Sequence, residues 1–133
     1  GIVDAVRSAR GLKVYVANVM TQEGETEGYT LSDHIRAIFQ HAGGGSLFDL
    51  CLVNEAPIPP ELLAPYAREG AEPLQVDESA CRSLGVEVIA RPVLAASGGL
   101  VRHDPDRLAA ALLEIQGQRS VRIAGSGDYR VET

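Results

Sequence analysis

The chain has 133 residues, 45% of them apolar and 23% charged, and a formal net charge of −6. That composition suits a single globular domain and argues against disorder. The acidity disfavours a general nucleic-acid binder, and no apolar run approaches the ~18 residues of a membrane span.

Residues 1–12 mix charges with small apolar residues and hold no signal-peptide pattern. Together with two cysteines at no metal-binding spacing, this predicts a cytoplasmic protein with Cys51 and Cys81 as buried, reduced thiols. The first residue is Gly1 rather than Met, which fits a processed product or a piece of something longer.

KVYVAN, residues 13–18, reads as a strand with Val14 and Val16 on one face and Tyr15 and Ala17 on the other. A long polar loop follows, with Glu23, Glu25 and Glu27 on alternate positions between glycines. Connections in compact α/β units usually take ~2–6 residues, so a longer one is either a binding loop or disordered. The three carboxylates suit Mg²⁺, ligand hydroxyls or simple solvation, and composition alone favours solvation.

Thr30 or Ser32 then caps a helix with Asp33 in its first turn. Leu31, Ile35, Ile38, Phe39 and Ala42 form its apolar face, and the glycines after His41 end it. His34 and His41 share a face but stand ~10 Å apart along the axis, too far to chelate one metal. His34, close to the polar loop, can still reach a ligand.

DLCLVN, residues 49–54, lacks alternation and reads as a strand buried on both faces of a parallel sheet. A short helix bent or interrupted by Pro65 follows, with Tyr66 either packing or stacking on a planar ring. Residues 72–77 hold a brief extended piece, 78–84 a weak helix and 86–91 a further strand. LAASGGLVRHDP reads as a second long loop ending at a helix with Asp104 as cap and Pro105 at its first position. Leu108, Leu112 and Ile115 supply that helix's buried stripe. VRIAG, residues 121–125, reads as a last edge strand before a polar tail.

The order predicts a Rossmann-like, three-layer α/β/α fold with a mostly parallel sheet. Ligands of such sheets bind beyond the carboxyl ends of the strands, where the three polar loops should converge. Free N–H groups at the helix after Arg102 suit a phosphate, although Asp104 competes for them.

VYVANVMTQEGETEGYTLSDHI, DLCLVN, PYAREG and GGLVRHDPDRLAAALLEI together resemble the YvcK/CofD-like family, in its gluconeogenesis-factor branch. Glu23 stands where that branch commonly has proline, and Glu27 where it has aspartate. The resemblance spans residues 1–117; residues 118–133 are left as tail or edge strand. It implies a larger Rossmann-like domain with a glycine-rich nucleotide loop that this sequence does not contain. Residues 1–133 therefore resemble the C-terminal part of such a domain.

What the resemblance implies is UDP-sugar binding and a role in cell-wall synthesis and cell shape. Tyr66 and Arg102 match family ligand contacts, with Glu25, Thr26, Asp33 and His34 on the polar side of the cleft. It also leaves open a 2-phospho-L-lactate transferase-like enzyme using Mg²⁺, or an interaction module with a vestigial nucleotide site. Half a sheet would leave a bare edge, so a homo-oligomer or a rearrangement is expected.

Overall fold

The computed structural model describes residues 2–8, 11–21, 29–97 and 100–126. Glu25 and Thr26 lie outside the described residues. The elements are α1 (Ile2–Ser8), β1 (Val14–Val16), α2 (Leu31–His41), β2 (Leu50–Asn54), α3 (Pro60–Arg68), α4 (Glu78–Ser83), β3 (Glu87–Arg91), β4 (Leu94–Ser97), β5 (Leu100–His103) and α5 (Pro105–Ser126).

Three strands form a parallel sheet in the order β1-β2-β3. Tyr15 pairs with Cys51, and Cys51 with Val88. Alternate residues of the central strand face opposite layers, which fixes the architecture. Cys51 and Val53 point into a cluster with Leu31, Ile35 and Phe39 of α2 and Cys81 of α4. Leu50 and Leu52 point the other way, against Ala111 and Ile115 of α5 and Val93. The sheet is therefore sandwiched between helices. Leu50, Cys51 and Leu52 are at most 2% exposed, so this strand shows no apolar–polar alternation in the sequence.

The N-terminus of α2 is fixed by a capping box. The Thr30 hydroxyl accepts from the Asp33 N–H, and the Asp33 carboxylate accepts from the Thr30 N–H at 3.0 Å. Asp77, from a distant segment, adds a second carboxylate that accepts from the Ser32 N–H and hydroxyl. At the other end the Gly43 N–H bonds the Gln40 carbonyl and the Gly44 N–H the Phe39 carbonyl. Gly43, directly after the C-cap Ala42, has a φ of +86°, the left-handed conformation this type of helix ending requires. The Arg7 guanidinium of α1 donates to the carbonyls of Ala42 and Gly44, placing a cation at the negative end of the helix dipole.

Two elements differ from expectation. Residues 94–97 and 100–103, read as loop, pair antiparallel as a hairpin, Ser97 with Leu100. The sequence cue is the Gly-Gly pair between two short tetrads, but alanine-rich LAAS is a weak strand former. Residues 121–125, read as an edge strand, instead continue α5 to Ser126. The β-branched residues suggested a strand. Gly117 does not break the helix, because a helical glycine costs only ~1 kcal/mol relative to alanine. In addition, α3 runs through Pro65 as one helix. No helix among the described residues is long and apolar enough to cross a membrane.

Candidate functional site

A cavity of about 550 Å³ opens beyond the carboxyl ends of the strands, within the usual size range of ligand pockets. Three connections build it, one after each parallel strand. Asn18, Val19, Met20 and Thr21 follow β1; Tyr66, Glu69 and Ala71 follow β2; Val101, Arg102 and His103 follow β3. The expected loops after β1 and β3 meet here, but the loop at residues 54–60 does not line this cavity: the β2 side comes from α3 and the residues after it, and Asn54, Ala56 and Ile58 line a smaller neighbouring cavity.

Each wall is tied to its neighbour by specific bonds. The Val101 N–H donates to the Tyr66 hydroxyl oxygen at 2.8 Å, joining the hairpin to α3. That bond uses a lone pair on the phenol and leaves its O–H to donate elsewhere. His103 Nε2 lies 3.0 Å from the Ala17 carbonyl oxygen, joining the hairpin to the end of β1. A carbonyl only accepts, so Nε2 carries the hydrogen. Arg102 therefore sits between two residues, each fastened to a different wall. Its side chain is exposed at the cavity.

The β1 wall is held by a strap, residues 72–75. The Thr21 N–H donates to the Glu72 carbonyl at 2.7 Å, and the Leu74 N–H to the Val19 carbonyl at 3.0 Å. The buried Thr21 hydroxyl donates to the Glu72 carbonyl and accepts from the Glu72 N–H. On the far side of the polar loop, the Leu31 N–H donates to the Gln75 carbonyl at 2.9 Å. One four-residue segment thus anchors both ends of the loop that carries Glu25 and Thr26, and the first end lies on the cavity.

Asn54 performs a similar task behind the cavity. Its carboxamide oxygen accepts from the N–H groups of Ala56 and Val93, and its NH₂ donates to the Ala56 carbonyl. This locks the end of β2 to the entry of the hairpin. A smaller cavity of about 270 Å³ adjoins the first, sharing Asn18 and Val19 and walled by Val53, Ile58, Leu63 and Leu74.

The six residues singled out from the sequence are not all brought together. Tyr66 and Arg102 line one cavity. The Asp33 carboxylate is occupied by the Thr30 N–H and hydroxyl and by Arg36. Those bonds, the Thr30 N–H first, hold its carboxyl below the usual carboxylate range. His34 faces a different groove, between α1 and α2, where its ring meets Tyr29 edge-on at 5.5 Å and His41 lies nearby. The N–H groups at the start of α5, considered for a phosphate, go to Asp104, whose Oδ1 accepts from Asp106 and Arg107. The helix N-terminus thus has its own carboxylate, and Arg102 is the arginine that lines the cavity.

Residues that the sequence did not single out as ligand contacts complete the cavity. Asn18 and Thr21 sit inside the conspicuous motif but carry no charge to attract notice. Glu69 lies just past the end of α3 and supplies a carboxylate suited to hydroxyl groups rather than phosphate. Among the described residues no group of three or more His, Cys, Asp and Glu side chains could hold a metal ion.

Comparison with known proteins gives concordant results. A family model described as 2-phospho-L-lactate transferase CofD matches residues 1–94. A gluconeogenesis factor of Halalkalibacterium halodurans is 43% identical over 114 residues, covering 86% of this chain and 35% of the relative. One from Bacillus subtilis is 39% identical over 114 residues, covering 86% and 36%. A crystal structure from Bacillus halodurans, described as a member of the UPF0052 family, is 42% identical and superposes with a TM-score of 0.78. It aligns with 85% of this chain and 36% of its own. The chain spans about a third of the length of the curated relatives it matches.

Proposed function

Since the chain belongs to the CofD family, we propose that it contributes the sugar-diphosphate side of a nucleotide-sugar site and acts as a gluconeogenesis factor. In this reading it binds a UDP-sugar in the cytoplasm and regulates cell-wall synthesis and cell shape rather than turning the ligand over. One observation carries the reading: the Val101–Tyr66 bond sets an aromatic hydroxyl beside the Arg102 backbone on a shared cavity. A planar guanidinium is matched to phosphate oxygens, and a phenol offers both a ring face and a donor. Glu69 would take sugar or ribose hydroxyls. Glu25 and Thr26 belong to the polar rim of the same reading, whereas His34 faces the α1–α2 groove and takes no part in it. Asp33 would act there by holding the loop's far end, because its carboxylate is already bonded.

The test is UDP-N-acetylglucosamine binding by calorimetry, with Arg102→Ala as the variant. A charge-assisted contact to phosphate contributes ~1.5–3 kcal/mol, so affinity should fall by roughly 10- to 100-fold. Unchanged affinity in Arg102→Ala would remove the phosphate role.

The second reading is a 2-phospho-L-lactate transferase-like enzyme, favoured by the description of the matching family model. Such chemistry would use Mg²⁺ to offset charge on the transferring group. Among the described residues the cavity offers one carboxylate, Glu69, while Glu23, Glu25 and Glu27 lie outside them. Release of a phosphorylated product from phospholactate donors would favour the enzyme over the regulator.

A further inference from the structure

We propose that His103 is a ligand-binding residue that takes up a proton as a diphosphate enters the cavity, so that binding strengthens as pH falls. The inference rests on the nucleotide-sugar reading above and adds a proton to it. Its starting point is the tautomer. Nε2 is committed to the Ala17 carbonyl at 3.0 Å and keeps its hydrogen in the neutral and the charged ring alike. Nδ1 is therefore the atom whose state changes. It has no hydrogen-bond partner among the described residues, and His103 lines the cavity directly after Arg102.

A neutral Nδ1 presents a lone pair, which a phosphate oxygen repels. A protonated Nδ1 presents a donor, which forms a charge-assisted bond to the same oxygen. The Ala17 bond survives either way, so the ring need not move to change its role. The charged and titratable neighbours decide the balance. Glu69 and the Tyr66 phenol face the cavity from α3, and Arg102 precedes His103 on β5. Asp104 follows on the chain but is engaged with the N–H groups of α5. Asn18, Val19, Met20, Thr21 and Ala71 bring no ionisable group. A bound diphosphate brings negative charge and an acceptor to the cavity that His103 lines, so a proton is taken up on binding.

UDP-N-acetylglucosamine is a suitable probe because its diphosphate diester stays fully ionised between about pH 6 and 8, where histidine titrates. Calorimetric titrations at several pH values, in buffers of different ionisation enthalpy, count the protons taken up. The wild-type protein should gain a fraction of one proton. Its affinity should fall as pH rises, by at most about tenfold per unit. His103→Gln keeps an amide donor for the Ala17 carbonyl but cannot be protonated. It should bind several-fold more weakly at the acid end, with heats independent of buffer and a flat pH profile. Wild-type binding without buffer-dependent heat would overturn the role of His103 and leave the nucleotide-sugar reading standing. So would proton uptake that persists in His103→Gln, which would assign it to Glu69, His34 or His41. No binding at any pH would overturn both.

Discussion

At the scale of single residues, local chemistry decides what is reactive. Cys51 and Cys81 are both free and fully buried in the same cluster. Burial pushes the Cys51 thiol up to about 12 and the Cys81 thiol up to about 11. The thiolate is the reacting species, so both should be inert in the folded protein. An aromatic disulfide reagent is expected to label two thiols promptly in denaturant and almost none under native conditions. Native labelling at the unfolded rate would contradict the packing described for Cys51 and Cys81. These buried thiols were legible from the sequence, because cysteines outside any metal or redox spacing are usually core residues. The histidines were less so. His34 drew attention by its nearness to the polar loop, yet its ring faces the α1–α2 groove. His103 was noted beside Arg102 but given no role, because nothing in the local sequence reveals that its ring bonds a carbonyl 86 positions away.

At the scale of elements, periodicity and capping chemistry carried most of the information. The faces of β1, α2 and α5 fell where their apolar spacing put them, since burial of a stripe is a local pattern. The hairpin and the length of α5 were not legible. Alanine and glycine signal weakly in either direction, and pairing between β4 and β5 supplies what local preference lacks. The second cap of α2 is also non-local. Burial alone would raise the Asp77 carboxyl, but its bonds to Ser32 outweigh that and hold it below the ordinary value. A depressed folded value means stability present above the unfolded carboxylate range near pH 3.8 and lost as pH falls through the folded value. Asp33 works in the same direction. Asp77→Asn should therefore cost about 1–2 kcal/mol at neutral pH and flatten the loss of stability in acid. Thermal melts at pH 7 and below pH 4 measure both. An Asp77→Asn protein as stable as wild type at neutral pH would show that the Ser32 bonds contribute nothing.

At the scale of the molecule, the parallel sheet places three connections on one edge, and the cavity follows from topology rather than from any single motif. That is why a cavity at this edge was foreseeable from strand order while its lining was only partly so. Tyr66 and Arg102 were identified through family resemblance; Asn18, Glu69 and the strap at residues 72–75 required coordinates. The central claim is that this edge, and not the α1–α2 groove, receives the ligand. Mapping backbone amide shifts during a titration with UDP-N-acetylglucosamine tests it most directly. The account predicts the largest changes at Val19, Thr21, Ala71, Val101, Arg102 and His103, with Val3, Ala37 and His41 unmoved. Changes concentrated along α1 and α2, with the hairpin silent, would contradict it.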